Sequence, residues 1–229
     1  SAIGAHIRIT QSSCQAFKMS KSPQSRFQFS KIAKHSQGLV REAKEKCSER
    51  RRAATETISF IGFIFETVEQ QPKSLFKNVR QMLIARFLNH LYSMFILVER
   101  GLFIDAYSCA RSATETTAFY WAICVDHEFA ENYDRSRSPQ PVDVRKKLEA
   151  HGIDISEIKD VYRHQSEVVH VGNKSDQLQV RWDDPINGQI SVGGGSDPEL
   201  QRSAFNAIVA MMVIFLRYDP DFEPVEKPE

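Results

Sequence analysis

Cysteine is scarce in this 229-residue chain, with four scattered residues (Cys14, Cys47, Cys109, Cys124). They form no C-x-x-C pair and have no histidine nearby at zinc-ligand spacing. That excludes a disulfide scaffold and a structural zinc site, and points to free thiols in a cytoplasmic protein. Net charge is nearly absent at +1. No global field therefore draws the chain onto nucleic acid or membrane, and any nucleic-acid contact must be local. Uninterrupted apolar runs are short. Ala204 to Leu216 is the longest candidate and is itself broken by Asn206, so no run reaches the roughly 20 residues that cross a bilayer, and the chain is expected to work without a membrane. The N-terminus lacks the basic-then-apolar pattern of a secretory signal.

What is abundant is helical periodicity. Hydrophobic residues make up 41% of the chain, enough for one sizeable core. Residues 1–30 are rich in Ser, Gln and Lys and read as a loosely attached arm. From 31 to 229 a single helical domain is expected. Apolar residues ending in Ile64, Phe65 and Val68 form a helical stretch that Pro72 closes. Ser74 is placed to cap the next helix, where Leu75, Val79, Leu83, Phe87, Leu91 and Val98 recur at helical spacing until Gly101. Ile104 to Val125 follows, with small residues that permit close helix packing. Two shorter helices, Val142–Ala150 and Ile155–Val171, come after a Ser/Pro loop.

At about 178–192 the pattern alternates with period two around Pro185, Asn187 and Gly188, which predicts a β-hairpin. A last core helix follows Ser196-Asp197-Pro198-Glu199, where Ser196 and Glu199 have capping-box spacing. The expected fold class is mainly α: a helical bundle with one small β-hairpin before the C-terminal helix.

One stretch suggests chemistry: Arg163-His164-Gln165-Ser166-Glu167-Val168-Val169-His170. Seven residues are almost two turns, so Arg163 and His170 fall about 20° apart on one helix face. Ser166 and Glu167 lie between them, while Ile158, Val161, Tyr162 and Val169 project toward the core. Spacing alone is weak, because random placement of 17 Arg and 7 His gives roughly 1.6 matches to Arg-x(4–6)-His. The second match, Arg145 to His151, sits before Gly152, where a terminal histidine and glycine end a helix for ordinary reasons.

Other candidates carry bland readings. Gly193-Gly194-Gly195 lacks the lysine and hydroxyl of a phosphate loop and suits a hairpin exit. Asp126, His127, Glu128 and Glu131 lack the second histidine of a zinc helix and suit a solvated helix end. Arg50-Arg51-Arg52 could touch RNA, yet a charged solvated face is the default. Arg111 and Glu115, one turn apart on the small-residue helix, are either an intrahelical pair or part of a polar site.

The Arg163, His164 and His170 pattern resembles HEPN domains, all-helical domains that carry Arg-x(4–6)-His with a polar residue directly after the arginine. The stretch from Gly101 to Glu115 (GLFIDAYSCARSATE), with Tyr162 to His170 (YRHQSEVVH), also resembles an uncharacterised bacterial helical family of unknown function, over roughly residues 75–217. The HEPN resemblance implies a metal-independent endoribonuclease or a nucleotide-binding relative. It also implies a homodimer with motifs paired at the interface, in a toxin–antitoxin or phage-defence setting.

On that reading RNA is the substrate, and an antitoxin or defence-system protein is the partner. His170 is the proton shuttle and Arg163 the phosphate-binding cation, with His164, Ser166, Glu167, Arg111 and Glu115 in support. No cofactor and no metal are required: an RNA 2′-hydroxyl attacks the adjacent phosphate and leaves a 2′,3′-cyclic end. The alternative is a non-catalytic helical module that binds a nucleotide or a protein.

Overall fold

The computed structural model describes residues 29–131, 139–169, 180–182, 188–190 and 197–222. The expected N-terminal arm at 1–30 therefore lies almost wholly outside the described residues. Eight helices are described: α1 (Phe29–Lys46), α2 (Ser48–Gln70), α3 (Leu75–Glu99), α4 (Phe103–Val125), α5 (His127–Glu131), α6 (Pro141–Ala150), α7 (Ser156–Val169) and α8 (Pro198–Leu216).

Their ends follow from local chemistry. Ser74 caps α3 by accepting from the Lys77 amide at 3.1 Å. The ammonium of buried Lys77 turns back onto the carbonyls of Glu69 (2.8 Å) and Gln71, satisfying the end of α2 where Pro72 prevents continuation. Gly101, at φ 68°, follows α3, with Leu102 N bonded to Leu97 O at 2.9 Å and Gly101 N to Val98 O at 3.0 Å. Gly152, at φ 71°, closes α6 in the same way through Leu148 and Glu149. Both are left-handed terminators that a side chain would strain. The cap of α8 falls on Asp197, whose carboxylate accepts from Glu199 N and Leu200 N at 3.0 Å each. α1 and α2 are nearly continuous, because Cys47 N still bonds Ala43 O and Arg51 N still bonds Cys47 O across the break.

α4 lies at the centre, packed on α3 along most of its length and on α5, α6, α7 and α8. Its small residues explain this: Ala106, Ala110, Ala113 and Ala118 are all buried and let neighbouring backbones approach. α8 closes the opposite side against α2, α3 and α4. Phe215 of α8 is stacked between Phe87 of α3 (3.9 Å) and Tyr120 of α4 (4.1 Å). The Trp121 indole donates to Ile214 O at 3.0 Å.

Just beyond α8, Asp219 re-enters the core. Its carboxylate accepts from buried Arg80 at 2.6 Å and from the Tyr120 hydroxyl. Arg80 also reaches Tyr120 Oη at 3.0 Å and Asp221 at 2.7 Å. Burial raises the Tyr120 phenol well above its ordinary range, which keeps its proton in place for Asp219.

The expected fold class needs one correction. The architecture is mainly α, helix on helix, and the β-hairpin written into the expected fold class is not one of its layers. What stands at 180–190 is a three-pair antiparallel ladder, Val180↔Ile190, Arg181↔Gln189 and Trp182↔Gly188. Three pairs are too few to make a β layer, since short isolated strand pairs gain little from burial. The rest of 178–192 lies outside the described residues. A second finding concerns composition. α3 and α8 are each long and apolar enough to cross a bilayer by length and composition alone, although each uninterrupted apolar run is short.

Candidate functional site

α7 is strongly amphipathic, and its register differs by a step from the simplest expectation. Ile158, Gln165 and Val168 are buried, while Val161, Tyr162 and Val169 are half-buried at its edges. A glutamine on the buried stripe requires a partner, and Thr114 of α4 supplies one. The threonine hydroxyl is shared between Gln165 Oε1 and the Ala110 carbonyl, both at 3.0 Å. Next to it, Arg111 of α4 reaches α7. Its Nη2 donates to Tyr162 Oη at 2.5 Å, its guanidinium carbon lies 4.7 Å from the Tyr162 ring centroid, and its Nε is 3.6 Å from Glu115. The Arg111–Glu115 pair is about one-third exposed, so it rims a cleft and is not part of the core.

The outer side of α7 is open. Arg163 is 72% exposed and pairs with Asp160 of its own helix at 2.7 Å. His164 is exposed and lies edge-on to Tyr107 of α4, with ring centroids 6.1 Å apart. Glu167 is exposed on the same side. Ser166 is half-buried, and its hydroxyl oxygen is buried without a hydrogen-bond partner. His170 lies outside the described residues, as do Gly193, Gly194 and Gly195. The structure thus brings together Arg111, Glu115 and Tyr162 in one cluster, and leaves Arg163 and His164 on the opposite, solvent-facing edge of α7.

On the cleft side, α3, α4, α6 and α7 enclose a groove of about 380 Å³. Arg86, Arg145 and Lys159 stand at it, with Glu115, Phe119 and Tyr162. One turn from Arg86 on α3 is His90, whose Nε2 is buried without a partner. Burial, reinforced by the Arg86 charge, lowers the His90 pKa below 6.5, against a smaller opposing pull from Glu115. Arg86 and His90 escape a motif search because each is an isolated titratable residue within an otherwise apolar helix, while Gln165 lies inside the Arg163–His170 stretch and carries no titratable group of its own. The one legible signal is a polar side chain at a heptad-like core position, as at Gln165.

The remaining candidates are structural. Asp126 caps the start of α5 by accepting from Phe129 N at 3.2 Å, and pairs with Lys147 and, at 3.7 Å, with His151. The Lys147 hydrogen bond is the main reason that its carboxyl titrates low. His127 stacks on Phe76 at 4.0 Å. Arg51 is held by Glu99 at 2.6 Å and lies over Phe95, and Arg52 pairs with Glu56. Burial raises the thiols of Cys47, Cys109 and Cys124, the last to about 12, which disfavours thiolate chemistry. Among the described residues no group of three or more His, Cys, Asp or Glu is arranged to hold a metal ion.

No curated protein matches the chain, and neither does any solved structure. Residues 77–152, from α3 through α6 and including the helix of Arg111 and Glu115, are similar to a family of unknown function (DUF5677).

Proposed function

We propose that the chain is a HEPN-like helical module that binds RNA through the outer face of α7. The observation that carries this reading is the division of α7 into two edges. The inner edge is locked to α4 through Gln165 and Tyr162, while Arg163 and His164 project into solvent on a rigid support. The Arg163–Asp160 pair is an exposed i,i+3 bridge of the kind worth only ~0–1 kcal/mol, so a phosphate can displace Asp160 at little cost. A guanidinium on phosphate is then a bidentate, charge-assisted contact.

A second reading, metal-independent endoribonuclease, is favoured by the Arg-x(6)-His spacing of Arg163 and His170 in the sequence. One imidazole supplies a single proton shuttle where 2′-hydroxyl attack uses an acid and a base. A second copy of the chain, apposing its α7, would supply the other. An antitoxin or defence-system component would then act by covering this face. On either reading the net charge of +1 limits the contact to a few phosphates, so binding is expected to be weak and salt-sensitive.

The test mixes end-labelled RNA with the protein in EDTA and follows anisotropy and strand length in the same tube. Binding without cleavage, weakened in Arg163→Ala, supports the RNA-binding module. Cleavage that leaves cyclic phosphate ends and disappears in His170→Ala supports the nuclease. Binding equal in wild type and Arg163→Ala, with intact RNA, removes both.

A further inference from the structure

We propose that the groove between α3, α4, α6 and α7 is a binding site for a small organic anion with an apolar body. This site lies on the cleft side of α7 and does not depend on the RNA reading of the outer face. Its volume of about 380 Å³ falls within the range of roughly 300–1,000 Å³ typical of small-molecule sites. The walls are apolar, built by Leu83, Phe119, Val144 and Ile158, with Pro139 and Pro141 at one end. Such walls favour a hydrocarbon or aromatic body over a hydrated ion.

The charge of the groove selects the sign of the ligand. Arg86 comes from α3, Arg145 from α6 and Lys159 from α7, against Glu115 as the one carboxylate in the described lining. Lys159 is already matched by Glu149 at 2.7 Å, and Glu115 faces Arg111 at 3.6 Å. Among the described residues no carboxylate lies within ion-pair distance of Arg86 or Arg145. Two guanidiniums from different helices are thus left over an apolar floor, and guanidinium matches carboxylate, sulfonate or phosphate in a bidentate fork.

The floor supplies one further handle. The hydroxyls of Thr114 and Thr116 bond back to the carbonyls of Ala110 and Ser112. Tyr162 Oη accepts from Arg111, and its own proton has no acceptor among the described residues, so it can donate to a ligand. The expected occupant therefore carries its charge at the Arg86/Arg145 mouth, its apolar body on Phe119 and Val144, and an acceptor toward Tyr162.

The probe is 1-anilinonaphthalene-8-sulfonate, an aromatic body bearing one sulfonate, with neutral N-phenyl-1-naphthylamine as its uncharged counterpart. Fluorescence titration of the full chain is expected to show one saturable site for the sulfonate and much weaker binding of the neutral dye. Combined Arg86→Ala and Arg145→Ala is expected to weaken the sulfonate by about tenfold or more, as is Arg145→Glu alone. Arg52→Ala, which removes an exposed arginine of α2 outside the groove, is expected to leave the affinity unchanged. Circular dichroism of each variant separates lost binding from lost folding, and these side chains are exposed or half-exposed. Equal affinity for both dyes, no saturable site, or a loss in Arg52→Ala matching that in the groove variants overturns the proposal. Displacement of the dye by RNA also overturns it, by assigning the groove to a nucleic-acid surface.

Discussion

Tyr162 holds Arg111 by its face and its hydroxyl together: the guanidinium carbon stands 4.7 Å from the ring centroid, and Nη2 donates to Oη at 2.5 Å. The two contacts separate by substitution. Tyr162→Phe keeps the ring and loses the hydrogen bond, at an expected cost of about 0.5–1.5 kcal/mol in urea unfolding. A double-mutant cycle of Arg111→Ala with Tyr162→Leu should give a coupling of about 0.5–2 kcal/mol. A coupling indistinguishable from zero means that the α4–α7 contact is held by apolar packing alone.

His90 provides a pH test. Its folded-state pKa lies below 6.5, first because of burial and then because of the Arg86 charge. Between the folded value and 6.5 the unfolded chain binds the proton and the folded chain does not. Stability must therefore fall as pH drops below about 6.5, and rise again toward neutrality. The informative quantity is the difference between wild type and His90→Gln, which isolates this one imidazole. That difference should tilt toward the variant as pH falls. A flat difference from pH 7 to pH 5 contradicts the burial of Nε2.

The Thr114–Gln165 contact predicts an asymmetry. Thr114→Val strips the buried amide of Gln165 of its partner, at a cost of about 1–3 kcal/mol. Gln165→Leu should cost less, because the Thr114 hydroxyl retains the Ala110 carbonyl. Thermal melts that rank the two variants in the opposite order would show that Gln165 is satisfied elsewhere.

Asp219→Asn leaves Arg80, only 3% exposed, with a weakened buried partner. Removing one member of such a pair costs about 3–5 kcal/mol, and the isosteric amide should fall at or below the lower end. Asp221 also contacts Arg80 but is 48% exposed, so Asp221→Asn is expected to cost under ~1 kcal/mol. Equal costs in guanidinium unfolding would mean that burial is not what sets the value of Asp219.

The helices were legible because their signals are local. Ser74, Pro72, Gly101 and Gly152 each act on the backbone within one turn, and the structure uses them at those positions. Period-two alternation at 178–192 marked the paired residues but overstated their weight in the fold, since strand pairing depends on a surface to pack against and three pairs supply little. The site divides in the same way. Arg111 and Glu115 stand out as charges on a small-residue helix. The groove does not, because Arg86, Arg145 and Lys159 come from three helices, and only packing brings them to one mouth. Gln165 was hidden for a related reason: its partner Thr114 is 51 residues away.

The sandwich of Phe215 between Phe87 and Tyr120 bears on how the chain is made. α3 and α4 leave the ribosome as a sticky hairpin whose aromatic face has no cover until residues 198–219 emerge. Its helices can form at once, yet the contacts that fix them close over more than ninety residues of chain, which is slow. In that interval the half-made protein presents the kind of surface that chaperones hold and aggregates grow from. Trp121, whose indole meets the end of α8, is placed to report the moment of closure by its fluorescence.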